Sequence, residues 1–473
     1  MNKFKNFKKI QFHSEQSLKE VMNVFLTSYI QHYGFGVIVD DQRKCIGVVT
    51  DGDIRRAIVS GKSADTHIRE IMHRNFVSAT VDTSPHQLLR LFDLDHAITH
   101  LPVLDKRGRL INVLLSSDFN ANTGIEKKVI RSRSPVRISF GGGGTDMSYY
   151  FRKDTGYVLS STINKYCYAT VSLRPDNRIN LISKDFNREI EADNIKQLEY
   201  DGSMDLIKAC VKLMHPPFGF DLETFSDIEP GTGLGGSAAL ASAIIGAFNR
   251  FRNESQLDKY TMADLAYQAE RMELGIKGGW QDQYAVVFGG VNFIEFRENE
   301  TVVIPLRIPD DVSLELHFNL LLFRVGETRE SGVIISDQQK NYLSKTKLLH
   351  NKYNQLSQVT LEMKDKLLKG ALRRFGELLD EAWEIKKTFS DKITTSQIEK
   401  LYKTAKREGA IGGKLLGAGY GGYLLIYCDP KYQPYVIESL QASGAVNVTF
   451  DFVEKGIQTW TAKDYYEGNS SIQ

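Results

Sequence analysis

One ten-residue stretch constrains this chain more than any other: Pro230-Gly-Thr-Gly-Leu-Gly-Gly-Ser-Ala-Ala239, running directly into SAALASAIIGAFNRF. Glycines let a backbone approach an anion closely and adopt φ > 0. The small and apolar residues that follow, Ser237 to Phe251, recur at helical spacing. The cluster therefore opens a helix, whose free N–H groups and dipole favour negative charge. Together they predict a phosphate cradle made of Pro230, Gly231, Thr232, Gly233, Leu234, Gly235, Gly236, Ser237 and Ala238, with a hydroxyl from Ser237. A tight turn before a core helix would explain two glycines, but hardly four and a serine. Gly231, Gly233 and Gly236 also satisfy G-x-G-x-x-G. That dinucleotide fingerprint needs an apolar strand just before it and a second strand ending in an acid. Here FSDIEP precedes, and the pattern stays helical through Met272. No Walker A sequence occurs, which removes the P-loop class.

Two further glycine clusters flank this one. Gly412-Gly-Lys-Leu-Leu-Gly-Ala-Gly-Tyr-Gly-Gly422 leads into YLLIYC, a loop entering a strand. Close approach to a ligand or to another backbone, and a glycine-rich hairpin, explain it equally well. Arg133-Ser-Pro-Val-Arg-Ile-Ser-Phe-Gly-Gly-Gly-Gly-Thr-Asp146 places Arg137 before an apolar pair and Asp146 after the glycines. Such an aspartate binds sugar hydroxyls or merely caps a turn. Between the clusters, AERMELGIKGGWQDQY puts Glu270 in a helix and Asp282 after a Gly-Gly turn. A metal ligand and a base are what phosphoryl transfer needs; a surface helix and a turn aspartate are the plainer reading.

With 473 residues the chain has room for about three domains. Its N-terminal part contains a repeat: GVIVDDQRKCIGVVTDGDI from Gly36 and LPVLDKRGRLINVLLSSDF from Leu101, matching Asp40 with Asp105 and Asp53 with Asp118. Each copy reads strand, turn, strand, then an acidic residue opening a helix. Helical patterns precede both copies, at 18–29 and 87–92, and such α/β units usually pack as a pair. The stretch ANTGIEKK, 121–128, is a candidate linker. Beyond Val129 the pattern is mixed α+β. Long helices are expected at 237–251, 262–274 and 342–389, strands at 157–173, 314–323 and 423–427, and a division near residue 315.

Sixty Lys and Arg against fifty-eight Asp and Glu leave a net charge of +2, so no basic field marks a nucleic-acid partner. The four cysteines are far apart and form no CxxC pair, which fits a reducing, cytoplasmic setting. The start lacks the apolar core of a signal peptide, and no apolar run approaches the ~20 residues that span a membrane.

The three glycine clusters, in this order, resemble those of the GHMP kinases, over about residues 129 to 473. Pro230 to Ala239 is similar to the family's ATP-phosphate motif, Pro135 to Asp146 to its first motif, and Gly417 to Gly422 to its third. RSPVRISFGGGGTD and GGWQDQYAVVFGGVNFIEF look most like the bacterial heptose-7-phosphate kinases of that family. The resemblance implies an S5-like N-terminal lobe (129–315), a ferredoxin-like C-terminal lobe (316–473), and transfer of the γ-phosphoryl of ATP to a sugar hydroxyl. It makes Asp282 the catalytic aspartate and Arg137 the cation on the transferring phosphate. Ser237 and Glu270 become Mg2+ ligands, and Gly143, Gly144, Thr145, Asp146 and Gly419 substrate-binding residues. Gly236 replaces the first serine of the usual pair, so metal ligation falls more heavily on Ser237. Arg329 is the candidate for a substrate phosphate. The product would feed nucleotide-activated heptose synthesis. The competing readings are a kinase for another sugar, such as fucose or galactose, and a non-catalytic sensor of sugar phosphate and nucleotide. The N-terminal repeat, within 1–124, resembles a CBS domain pair. Gly47-Val-Val-Thr-Asp-Gly-Asp53 matches the segment that grips ribose and phosphate, which implies an adenine nucleotide at Thr50 and Asp53. A homodimer through the CBS pair is expected as well.

Overall fold

The two copies of the N-terminal repeat fold alike. In the first, Gln11–His13 runs parallel to Phe35–Val39, which turns back antiparallel onto Cys45–Thr50. In the second, Ala79–Thr80 and His100–Leu104 are parallel, and His100–Leu104 turns back onto Leu110–Leu115. The matched aspartates build the two hairpin turns. Asp40 Oδ1 accepts the N–H groups of Gln42 and Lys44 at 3.0 and 2.8 Å. Asp105 Oδ1 accepts those of Arg107 and Arg109 at 2.8 and 2.9 Å. A short carboxylate standing in for a backbone acceptor is the reason aspartate recurs there. The copies pack together: Phe35 stacks on His100 at 4.7 Å, and Val37, Val39 and Cys45 share a buried cluster with Leu110 and Val113.

The computed structural model describes residues 10–27, 34–80, 83, 87–88, 91–92, 98–115, 129–252, 256–326 and 331–462. The expected linker 121–128, Asp118 and Arg329 lie outside these residues. The chain divides into two compact units, 1–127 with 464–473, and 128–463.

The larger unit is organised by the 18-residue strand Gly156–Leu173. Along one side it pairs with Val129–Gly141; along the other it pairs with Phe220–Ser226 and Val291–Phe296. The helix Gly236–Asn249 packs on this sheet with Ala238, Ala241, Ile244, Ile245 and Phe248 buried. A helix apolar all round can only sit inside, which its sequence required. In the second half, Ala410–Leu415, Gly422–Cys428, Leu320–Val325 and Val446–Asn447 form an antiparallel sheet in that order. With helices in its crossovers this is a ferredoxin-like arrangement.

Two expected elements differ. Residues 314–318 belong to the helix Asp310–Phe318, and the strand begins at Leu320. Pro309 before the helix and Asp310 and Asp311 in its first turn are start signals, which the apolar run LLLF had masked. The long helix 342–389 is three helices, Ser331–Ser344, Thr346–Leu368 and Leu372–Lys387, the second ended by Gly370 at φ +66. One buried cluster joins the two sheets, while a second, with Phe323, Trp383 and Leu424, lies almost wholly beyond residue 320. Met363, Phe375, Leu378 and Leu425 share one buried cluster with Phe140, Val158 and Ile294.

Candidate active site

The second glycine cluster is held open by its backbone. Gly231, Gly233 and Gly235 have φ of +76, +80 and +76, and Gly235 directly precedes the helix Gly236–Asn249. The third cluster is a hairpin, and it also abuts the second. A Cβ on Gly417 would lie 2.4 Å from Gly233 Cα, and one on Gly422 2.3 Å from Thr232 O. Its glycines let two backbones touch, while Gly417 and Ala418 also reach the cavity.

That cavity, about 920 Å³, is lined by Gly231, Thr232, Gly233, Gly235, Gly236 and Ser237 together with Arg137, Gly143, Gly144, Asp146, Glu270 and Asp282. Pro230 does not line it, and Leu234 and Ala238 point into the core. Gly419 does not line it either; it packs on Ile393, whose carbonyl a Cβ would meet at 2.5 Å. Thr145 is buried, its hydroxyl lying 2.9 Å from both Gly142 O and Tyr157 O, which share its one proton, and accepting the Tyr157 N–H. Thr145 and Gly419 therefore shape the loops around the cavity and do not face a substrate.

Arg137 is 2 % exposed. Its Nε and Nη2 donate to Asp282 Oδ1 at 2.9 and 2.6 Å, and its Nη1 donates to Gly233 O at 2.6 Å. One guanidinium thus ties the aspartate to the glycine loop, in the planar fork geometry that lysine lacks. Asp282 stands in the first turn of Gln281–Phe288. Asp146 is fully buried; Oδ1 accepts the Gly144 N–H at 2.8 Å and Oδ2 the Gln281 N–H at 3.1 Å. Burial pushes its carboxyl pKa up, and the charge of Asp282 adds to the rise.

Glu270 lies in a π-helical turn, Gln268–Glu273, at 0 % exposure. Its Oε2 accepts from Gln283 Nε2 at 2.5 Å, while its buried Oε1 has no hydrogen-bond partner. That oxygen, whose cationic neighbour is Arg271 Nη1 at 3.9 Å, lies on a cavity that Ser237 also lines, and the two are oxygen donors suited to magnesium. That ion keeps its water and phosphate ligands and takes one or two from protein. Among the described residues no group of three or more His, Cys, Asp or Glu forms a closed metal cage.

Sequence reasoning missed two buried lysines. Lys386 stands in the last turn of the helix Leu372–Lys387, lines the cavity, and donates from Nζ to Gly417 O at 2.5 Å. Burial pulls its pKa down to about 8, against the pull of Asp146. Lys414 donates to Phe140 O at 3.2 Å, and burial holds its pKa well below the usual value. A signal existed: Lys386 falls at helical spacing from the buried Leu379, Ala382 and Trp383, on the apolar face.

In the N-terminal unit Thr50 and Asp53 form a reciprocal cap on the helix Asp51–Val59. Thr50 N and Oγ1 both donate to Asp53 Oδ2 at 2.7 Å, while Arg56 and His73 reach Oδ1 at 2.5 and 2.9 Å. Burial raises the Asp53 pKa, but these hydrogen bonds outweigh it and hold it at about 2.

Taken together, a glycine cradle at a helix start, a carboxylate forked to it by arginine and a ferredoxin-like second half define a small-molecule phosphotransferase. The chain matches the GHMP kinases N terminal domain over residues 205–290, the GHMP kinases C terminal domain over 363–446, and the CBS domain over 8–60 and 68–120. It is 36% identical to the D-glycero-alpha-D-manno-heptose 7-phosphate kinase of Campylobacter jejuni over 339 residues, 70% of this chain and 99% of that one. A crystal structure of a D-glycero-D-manno-heptose 1-phosphate kinase from Bacteroides thetaiotaomicron superposes with a TM-score of 0.59 at 29% identity, covering 71% of this chain and 99% of that one. Lactococcus lactis galactokinase complexed with galactose shares the fold, with a TM-score of 0.57 at 20% identity over 73% of this chain and 98% of that one. The chain belongs to the GHMP kinase family and is an ATP-dependent sugar kinase. Among the described residues no helix is long and apolar enough to cross a membrane.

Proposed function

We propose that the chain transfers the γ-phosphoryl group of ATP to the anomeric hydroxyl of D-glycero-D-manno-heptose 7-phosphate, on the way to a nucleotide-activated heptose. The acceptor is inferred from the name of the Campylobacter jejuni relative, which the chain spans almost end to end. The observation that carries the catalytic reading is the Arg137 fork between Asp282 and Gly233 O. In a loose phosphoryl-transfer transition state charge spreads over the transferring oxygens, so catalysis is mostly positioning and neutralisation. The N–H groups from Gly231 to Ser237 hold the phosphates. Arg137 offsets the developing charge while it fixes Asp282, whose Oδ2 orients the acceptor hydroxyl and takes its proton. Ser237 and Glu270 would hold Mg2+, which when bound neutralises phosphate charge.

A screen for ADP release over sugars and sugar phosphates tests the acceptor. Heptose 7-phosphate is expected to exceed galactose, fucose and mevalonate in kcat/KM by about 10²-fold or more. A free hexose in first place would replace the acceptor and keep the kinase; no ADP release with any of them would leave a sensor.

In the same reading the CBS pair takes an adenine nucleotide at the Thr50–Asp53 turn and joins two chains as a homodimer. The exposed Arg56 beside Asp53 supplies a cationic partner for a phosphate, and the exposed His73 ring a further polar one. The four free, buried thiols suit a reducing cytoplasm. AMP titrated into the full chain is expected to give a heat of binding and to shift acceptor affinity by ~1–3 kcal/mol of coupling. Asp53→Ala should remove both effects. No heat, with kinetics unchanged by AMP, would reduce the pair to an assembly module.

A further inference from the structure

Gly143 marks a place where three polar side chains converge without serving one another. A Cβ added there would lie 3.4 Å from Gln281 Nε2, 3.6 Å from Ser139 Oγ and 3.8 Å from Lys386 Nζ. The three come from separate elements: Ser139 from the strand Val129–Gly141, Gln281 from the start of Gln281–Phe288, and Lys386 from the end of Leu372–Lys387. Ser139 is 4 % exposed, and its hydroxyl has no partner. Gln281 Oε1 is also buried without a partner. Lys386, 6 % exposed, gives one N–H to Gly417 O, although an ammonium carries three. Buried polar groups are normally paired, so three under-used ones around a glycine, Gln281 and Lys386 on the cavity and Ser139 beside Gly143 but not lining it, describe a site for a ligand.

We propose that Ser139, Gln281 and Lys386, meeting over the α-carbon of Gly143, form a subsite that reads a hydroxyl of the acceptor sugar beside the one phosphorylated. This rests on the sugar-kinase reading above and adds which groups select the acceptor.

The chemistry of the set decides what it takes. A phosphate oxygen only accepts hydrogen bonds. Gln281 presents an acceptor as well as a donor, whichever way its amide is turned, and Ser139 does both. A hydroxyl, which donates and accepts, satisfies all three together. The place also fits. Gly143, Gln281 and Lys386 line the same cavity as Asp282, and Gln281 is the residue just before it on the helix. The Gln281 N–H is pinned by Asp146 Oδ2, so the amide is aimed from a fixed backbone.

The test uses the full chain and two acceptors, heptose 7-phosphate and its 2-deoxy analogue. Wild-type protein is expected to lose about tenfold or more in kcat/KM on the deoxy acceptor. Gln281→Met and Lys386→Met should lose a similar factor on the parent acceptor, leave the KM for ATP within about twofold, and no longer distinguish the two acceptors. Ser139→Ala, the mildest change, should reduce the same discrimination if the buried lysine variant fails to fold. Variants that keep the full deoxy penalty, or that move the ATP KM and spare the acceptor, would overturn the subsite. If the wild-type enzyme prefers another sugar, that sugar and its deoxy analogue replace the pair. The acceptor's identity is thus judged on wild type, and the subsite on the variants.

Discussion

Asp282→Asn is expected to lower kcat by about 10²–10⁴ and to leave the KM for ATP nearly unchanged. The amide still fills the space and still accepts from Arg137 through its oxygen. It cannot take a proton, and its N–H₂ meets the acceptor hydroxyl as a donor where a carboxylate accepts. The glycine loop that cradles phosphate is untouched, which is why nucleotide affinity should survive. Steady-state ADP release at saturating acceptor, beside a nucleotide titration, checks both halves. Near-normal turnover would remove Asp282 from the chemistry and leave it a tether for Arg137.

Arg137→Gln should have the next largest effect, a fall of about 10²–10³ in kcat. Here the ATP KM should rise as well, because Arg137 also holds Gly233 O at 2.6 Å and so sets the loop. Arg137→Lys should recover little, since a single ammonium cannot span both Asp282 and Gly233. The contrast is the diagnostic: the aspartate variant loses rate alone, while the arginine variants lose rate and nucleotide affinity together. Normal turnover in Arg137→Gln would transfer the neutralising role to another cation on the cavity, such as Lys386.

Much of this was legible because local chemistry wrote it into short stretches. The glycines of 231–236 declare positive φ and a helix start in ten residues. Asp40 and Asp105 declare two like turns. Glu270 and Asp282 are twelve residues apart, and the resemblance of their segment paired them before the fold placed both on one cavity. Lys386, Gln281 and Ser139 were hidden for the opposite reason. They gather around Gly143 from three distant elements, and no spacing in the chain announces the meeting. Gly417 against Gly233 is similar: either reading of the third cluster, hairpin or close approach, was open until two backbones were seen to touch. The misread strand at Leu314 shows how apolar count can override weaker boundary signals, since Pro309 and the two following aspartates already marked a helix.

The pairing of Val129–Gly141 has a consequence for synthesis. One side of that strand joins Gly156–Leu173 soon after it is made. Its other side, from Ile130 to Arg133, is covered by Gln458–Thr461, and the Arg133 to Gln458 contact spans 325 positions. At roughly 5–20 residues per second, a ribosome needs roughly a quarter of a minute to a minute to deliver that partner. Until then a growing chain carries an open sheet edge, the kind of surface that recruits other unfinished chains. The kinase unit is therefore closed late in translation, when Gln458–Thr461 reaches Ile130 to Arg133.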